Sequence, residues 1–403
     1  MKKTELLQLA EQESKRLIAL RREIHAHPEL SEQEYRTRAL VCRELERLGV
    51  PYEIREDDTG VVGLIRGQKD GPVIALRADM DALPITEQHT ELPFCSETPG
   101  VMHACGHDMH TAIQLGAAAL LKKLAPRLCG SVKLIFQPAE EAGTHGADFM
   151  VKHGCMENPK VDKIFAIHVD ADRECGTLGT KPGVLNSASD SFQVKVCGKA
   201  AHGTKPQCGI DAIFAAVQMI NALYGMSTRR LSALERVSLN VGTISGGTAN
   251  NIIADEVYFG ISLRTVDKDI RAYMHREIRE LLEGIASAHK AQVEITETYG
   301  SASQINDEDC VELIRSTSDL LWGKQAYIPN EDPSMGSEDF SAYCEDGTPG
   351  AMWELGVRNT ELGMTAPLHS GLFCPDERAI LVGTAMQTAI VYRLIGEDGM
   401  EEN

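Results

Sequence analysis

The chain has 403 residues, 43% hydrophobic and 25% charged, which is ample for two packed domains and unlike a disordered or low-complexity chain. A formal net charge of −19 argues against nucleic acid and against an anionic membrane surface as partners, since both need clustered Lys and Arg; an anionic substrate would need a local positive site, a metal or particular Arg and His side chains. No apolar run reaches the roughly 20 residues a membrane span needs, Glu5 and Glu11 interrupt any signal-peptide pattern, and 11 scattered cysteines fit free thiols in a reducing, cytoplasmic setting.

Helical periodicity covers 4–24 and 31–48, with Ser31 as a candidate N-cap. Short apolar runs follow at 60–65, 72–78, 132–137 and 163–169, with a helical stretch at 111–124 among them. Strands alternating with helices predict an α/β layer fold with a mostly parallel sheet, and in such sheets ligands bind beyond the carboxyl ends of strands. Near Asp190 the pattern changes. Strands at 191–200, 238–244, 256–265 and 292–298, with helices at 211–224 and 267–289, give the order β-α-β-β-α-β of a ferredoxin-like domain. Helical stretches at 308–322 and 376–394 then resume the earlier pattern. The expectation is a three-layer α/β catalytic domain in two segments, 1–187 and 299–403, with an inserted α+β domain at 188–298.

The residues with chemistry cluster where the predicted strands end. Met-His-Ala-Cys-Gly-His-Asp-Met-His at 102–110 puts Cys105 and His107 two apart in a loop, and thiolate and imidazole both bind Zn²⁺ and its neighbours. Glu140 and Glu141 follow a buried strand, and neighbours on extended backbone point to opposite sides, so one can ligate while the other holds a water. His168 closes an apolar strand, Asp79 and Asp81 stand two apart beyond another, and His369 lies in a late loop. Each alone has an ordinary structural reading: loop histidines, a solvated turn, a core histidine. Asp79 is read either as supporting a ligand from behind or, with a slight preference, as shaping its turn, and Asp108 as capping the following helix, with His103 and His110 as weaker candidates for ligands or for supporting a ligand. The convergence of Cys, His, Glu and Asp on one sheet edge is what points to metal chemistry.

The same residues fall in a chain of motifs: RREIHAHPELS (21–31), ALRADMDALP (75–84), MHACGHDMHTA (102–112), QPAEEA (137–142), AIHV (166–169), AHGTKP (201–206), GGTANNIIAD (246–255), MGSEDF (335–340) and PLHSGLF (367–373). In these the sequence resembles, over nearly its whole length, the aminoacylase and hippurate-hydrolase branch of the dinuclear metal exopeptidases, which includes auxin-conjugate hydrolases and N-acetyl-diaminopimelate deacetylases. The resemblance implies metal ligands at Cys105, His107, Glu141, His168 and His369, a catalytic carboxylate at Glu140 and an orienting acid at Asp81. It implies a pair of divalent ions, Mn²⁺ or Zn²⁺ with Co²⁺ or Ni²⁺ as further options, an N-acyl amino acid or dipeptide as substrate, and a homodimer formed through the inserted domain. That domain would serve as a lid, with His202 stabilising the oxyanion and Asn250 and Arg264 binding the substrate carboxylate; a structural ion pair is the equal alternative for Arg264. Three positions depart from the family pattern: Gln207 where His is common, Glu32 where an aromatic is usual, and Gly371 where Pro often stands.

The leading expectation is an amidohydrolase of N-acyl amino acids. A dipeptidase or carboxypeptidase on the same machinery stands beside it. A hydrolase with Cys105 as nucleophile and a non-catalytic binding protein are the readings of a different class.

Overall fold

The computed structural model describes residues 1–142 and 146–401. The chain divides into two compact units: one of Met1–Leu185, Ile305–Glu331 and the residues from Asp339 onward, the other of Asn186–Gln304 and Asp332–Glu338.

The larger unit is built on a seven-stranded sheet in the order Tyr52–Ile54, Val61–Arg66, Cys129–Gln137, Lys69–Asp79, Lys163–Glu174, Gly350–Arg358, Leu178–Gly179. The four strands from Cys129–Gln137 to Gly350–Arg358 are mutually parallel, and the outer ones run antiparallel to their neighbours. Parallel strands covered on both faces need near-continuous apolar runs, and Val73–Ala78, Val132–Phe136 and Ile164–Ile167 supply them, interrupted only by the buried Arg77 and Lys133. Helix His107–Leu124 lies in this core with nearly every residue buried. Its small residues permit close packing: a Cβ on Gly116 would collide with Thr384 of helix Ala379–Ile395 and with Leu17 of helix Lys3–Ala26.

Some boundaries differ from the sequence expectation: the helix expected at 111–124 starts at His107, and the one expected at 211–224 runs on to Arg229. The second helix starts at Tyr35, and Ser31 does not cap it. The carboxylate of Glu29 accepts from the Arg36 and Thr37 amides, so the free N–H groups of the first turn are met from outside the helix. The Ser31 hydroxyl is instead committed to Asp81. The strand Gly350–Arg358 and the short helix Gly146–Lys152 also lie outside the predicted elements.

The smaller unit has a four-stranded antiparallel sheet ordered Val237–Gly246, Glu256–Thr265, Ala188–Cys197, Gln292–Tyr299. With helices Ala212–Arg229 and Lys268–Ala288 this is the ferredoxin-like arrangement. Alternate residues Phe192, Val194, Val196, Phe259, Ile261 and Leu263 form its core with Ala216, Met219, Met274, Ile278 and Leu282. Asp211 and Asp267 cap the two helices.

Candidate metal centre

Four chain segments of the larger unit bring the expected ligands together. His107 opens its helix immediately after Gly106, which has φ +86° and whose Cβ, if present, would run into Val169. Only glycine fits there, on both counts. The N-cap position is Gly106; Asp108, in the first turn, accepts from the Met109 amide through Oδ1 at 2.9 Å, and its Oδ2 is buried against Arg21 Nε and His25 Nδ1, each at 2.7 Å. Glu140 and Glu141 follow strand Cys129–Gln137 across a turn in which Ala139 has φ +54°. His168 lies within strand Lys163–Glu174, and His369 is brought in by a backbone bond from its amide to Ala104 O, 2.9 Å.

The nitrogens are oriented by their partners. His168 Nδ1 donates to Val169 O at 2.8 Å, which leaves Nε2 facing Cys105 Sγ at 3.6 Å. His369 Nε2 stands 3.3 Å from the same sulfur and 3.4 Å from Glu141 Oε1. His107 Nδ1 donates to Asp81 Oδ1 at 3.2 Å, and its Nε2 lies 4.0 Å from Glu141 Oε1. Among the described residues, His107 Nε2 and Glu141 Oε1 are both buried without a hydrogen-bond partner. Such orphaned atoms are costly unless something electropositive meets them. Ligands about 2.0–2.3 Å from one tetrahedral cation stand about 3.5 Å from each other, close to the sulfur–nitrogen distances here. Among the groups of side chains with possible ligand atoms within 4.8 Å of one another are Cys105/His107/His168, Cys105/Glu141/His369 and His107/Glu140/Glu141. The donor set fits divalent cations by geometry and by chemistry, with one soft thiolate among imidazoles and carboxylates. Burial pushes the Cys105 thiol up, but the charges of His107 and His168 outweigh it and bring the thiol down to about 7.

Behind the expected ligands lies a buried polar network centred on Asp79 and His110, with Arg77, Gln137 and Asp339 as further members not singled out from the sequence. Asp79 does more than shape a turn: it accepts from His110 Nδ1 at 2.5 Å and from Arg77 Nη1 at 2.6 Å. His110 Nε2 in turn accepts from the Val169 amide, so both its nitrogens are occupied and it is no ligand. Arg77 also reaches Gln137 and Asp339, and Asp339 accepts from Gln137 and from the Ala147 amide. Burial opposes ionisation of Asp79, but His107, His110 and Arg77 hold its carboxyl well below the usual range. The available signal was the even spacing of Arg77, Asp79 and Asp81, which alternate with apolar residues along one strand and its extension. His103 is fully buried, its ring nitrogens have no hydrogen-bond partner among the described residues, and burial pushes its pKa down to about 3.

The remaining expected residues belong to the smaller unit. His202 pairs with Ile252 across a two-stranded ladder, and the Gly203 amide donates to Asn251 O at 2.8 Å, so the loops carrying His202 and Asn250 are neighbours. Both side chains are exposed. The Arg264 guanidinium is half-buried and donates to Ser337 Oγ at 2.6 Å; among the described residues it has no ion pair within 4 Å, so the structural ion pair weighed for it is not formed.

Comparison with known proteins agrees with this geometry. Residues 75–393 match the model of peptidase family M20/M25/M40. The chain is 38% identical over 373 residues to thermostable carboxypeptidase 1 of Saccharolobus solfataricus, covering 91% of this chain and 92% of that protein. It is 37% identical over 389 residues to N-acetyl-L-cysteine deacetylase of Bacillus subtilis, covering 96% and 90%. It superposes with a TM-score of 0.82 and 34% identity on the crystal structure of the Bacillus subtilis YXEP protein, a dinuclear metal binding peptidase, covering 96% of this chain and 99% of that one. The chain therefore belongs to peptidase family M20/M25/M40 and is a hydrolase of amide bonds.

Proposed function

We propose that the protein is a dinuclear-metal amidohydrolase that cleaves N-acyl amino acids to a free amino acid and a carboxylic acid. The observation that carries this reading is the convergence of Cys105, His107, Glu141, His168 and His369, two of them with buried orphaned donor atoms, beside the second carboxylate of Glu140. A bound pair of divalent ions, which we assign to Mn²⁺ or Zn²⁺ with Co²⁺ or Ni²⁺ able to substitute, supplies polarisation of the scissile carbonyl and a lowered pKa for water. Glu140 takes the proton from the attacking water and later gives it to the leaving amine. Asp81 fixes the ring of His107 so that Nε2 points inward. Asp79 and His110 brace the same wall from behind. His202 stabilises the tetrahedral oxyanion, while Asn250 and Arg264 receive the substrate carboxylate. The absence of an ion pair on the half-buried Arg264 supports that role. Cys105 faces two imidazoles at 3.6 and 3.3 Å and shares a donor group with Glu141, which suits a ligand better than a nucleophile with one base.

A homodimer through the smaller unit completes the proposal. It is supported by strand Val237–Gly246, an outer strand of its sheet, and by the exposed apolar side chains Ile213, Phe214, Val217, Tyr224, Ile244 and Ile252 of that unit. Eleven free cysteines support a cytoplasmic setting, and no helix among the described residues is long and apolar enough to cross a membrane.

The carboxypeptidase or dipeptidase reading is supported by the similarity to thermostable carboxypeptidase 1 and to the YXEP peptidase. A panel of N-acyl amino acids and dipeptides, with and without chelator and added Mn²⁺ or Zn²⁺, decides between them. Metal-dependent release of amino acid from acyl substrates in preference to dipeptides is expected; the reverse preference would replace the main reading, and no turnover of either by metal-loaded protein would remove both.

A further inference from the structure

The segment Glu29–Glu34 is a strap beside the turn that carries Glu140: its Glu34 side chain reaches that turn, and its Ser31 hydroxyl holds Asp81, which reaches the turn from the other side. Glu34 is fully buried. Its Oε1 accepts from the Ala139 amide at 2.9 Å and from the Glu32 amide at 3.1 Å, and its Oε2 accepts from Thr59 Oγ1 at 2.5 Å. On the other side of Glu140, the Glu141 amide donates to Asp81 Oδ2 at 2.9 Å, and Asp81 Oδ2 also accepts from Ser31 Oγ at 2.7 Å. The amides before and after Glu140 are thus each held by a buried carboxylate, one belonging to the strap and one gripped by it. The strap is itself fixed to the other flank by the Ala82 amide, which donates to Glu29 O at 2.8 Å. Ala139 has φ +54°, a conformation unfavourable for a residue with a Cβ, so the turn needs an external hold to keep this shape.

We propose that Glu34 is a positioning residue for Glu140: by holding the Ala139 amide, it fixes the turn that aims the Glu140 carboxylate at the reacting water and the leaving amine. The proposal rests on the role of Glu140 given above. It separates two jobs in one dipeptide: Glu141 is held through Asp81, Glu140 through Glu34. Loss of Glu34 therefore impairs proton transfer and leaves metal binding intact. A misplacement of about 1 Å in a catalytic group costs on the order of 10²-fold in rate.

The test is kinetic, with metal content and melting temperature measured on every variant. Glu34→Ala is expected to fold, to hold the wild-type complement of metal, to keep KM within a few-fold and to lose ~10²-fold in kcat. Glu34→Gln, whose amide oxygen still accepts from Ala139, is expected to recover to within about 5-fold of wild type. In a Glu140→Asp background, where the carboxylate is already displaced, Glu34→Ala should cost less than about 3-fold, because coupled positions are not additive. A kcat for Glu34→Ala near that of wild type, equal losses in both backgrounds, or a loss that tracks missing metal would each overturn the proposal. Where Glu34→Ala fails to fold, Thr59→Val is read instead: it removes the hydroxyl that holds Oε2 and should lower kcat ~3–10-fold, non-additively with Glu140→Asp; additivity would overturn the proposal there too. Glu140→Gln keeps the parent reading separate. Wild-type turnover in that variant alone would remove Glu140 from its role and the clamp with it, whereas an inactive Glu140→Gln beside a fully active Glu34→Ala would remove the clamp only.

Discussion

In the larger unit the side chains around Cys105 are mostly buried and several have a non-reacting atom tied down: His168 Nδ1 to a carbonyl, His107 Nδ1 to Asp81, Asp81 to Ser31, Asp79 to Arg77 and His110. In the smaller unit His202 and Asn250 are exposed on adjacent loops. That unit's strongest polar network lies away from them, where Asp190 is paired with Arg271 and His275, and Glu297 with His275 and Arg279. The difference follows from the two tasks. The proposed cation ligands must hold their geometry to a fraction of an ångström, so they are set among buried side chains with a supporting layer behind them. Groups that meet substrate must be reachable, so they ride on loops of a scaffold whose own stability is secured elsewhere.

The comparison breaks most sharply at Asp79. Replacing it with Ala leaves Arg77 and His110 buried with a partner missing, and removal of one partner from a buried charged network costs about 3–5 kcal/mol. A lower urea midpoint with an unchanged slope is expected; an unchanged midpoint would show that the layer behind the ligands carries no stability. Arg264 sharpens the comparison from the other side. Arg264→Ala should leave the melting temperature nearly unchanged and lower kcat/KM by about 10- to 100-fold, the worth of a charge-assisted contact to a carboxylate. An equal loss on a substrate amide lacking the carboxylate would assign the arginine to structure.

The smallest expected effect concerns His275, stacked on Tyr299 and placed between Asp190 and Glu297. Burial lowers its pKa, but the hydrogen bonds and charges of those two carboxylates outweigh this and raise it. A raised histidine stabilises the fold fully below its unfolded pKa, roughly 6.5, and that contribution fades as pH rises through the folded value. Hydrogen-exchange protection of strand Ala188–Cys197 should therefore fall by about 1 kcal/mol in His275→Gln near pH 6, with the gap to wild type closing at higher pH. A gap independent of pH would mean that the ring packs but its charge contributes nothing.

Much of this was readable before any coordinates. Buried parallel strands appear in sequence as short apolar runs, and the residues just beyond them, Asp79, Asp81, Glu140 and Glu141, stood out because charge rarely follows such runs without purpose. Alternation in 191–200 and 256–265 made the second sheet equally plain. The strand Gly350–Arg358 was not legible: Gly350, Glu354 and Gly356 interrupt its apolar run, and its neighbour in the sheet, Lys163–Glu174, lies far away in sequence. The start of the second helix was misread because Ser31 has the chemistry of a cap, and only the fold reveals that Asp81 claims its hydroxyl while Glu29 serves the helix from a distance. The buried chain from His110 through Asp79 and Arg77 to Asp339 joins residues more than 200 positions apart, which no local pattern encodes.

The central claim is that these five ligands hold the cations on which amide hydrolysis depends. The most direct measurement is the metal stoichiometry of wild type and of His107→Ala by mass spectrometry, with hydrolysis of an N-acyl amino acid followed before chelation, after it, and after metal is returned. The account predicts two ions per chain in wild type, as in the dinuclear relative, fewer in the variant, and turnover that vanishes and returns with the metal. Full turnover by metal-free wild-type protein would contradict it.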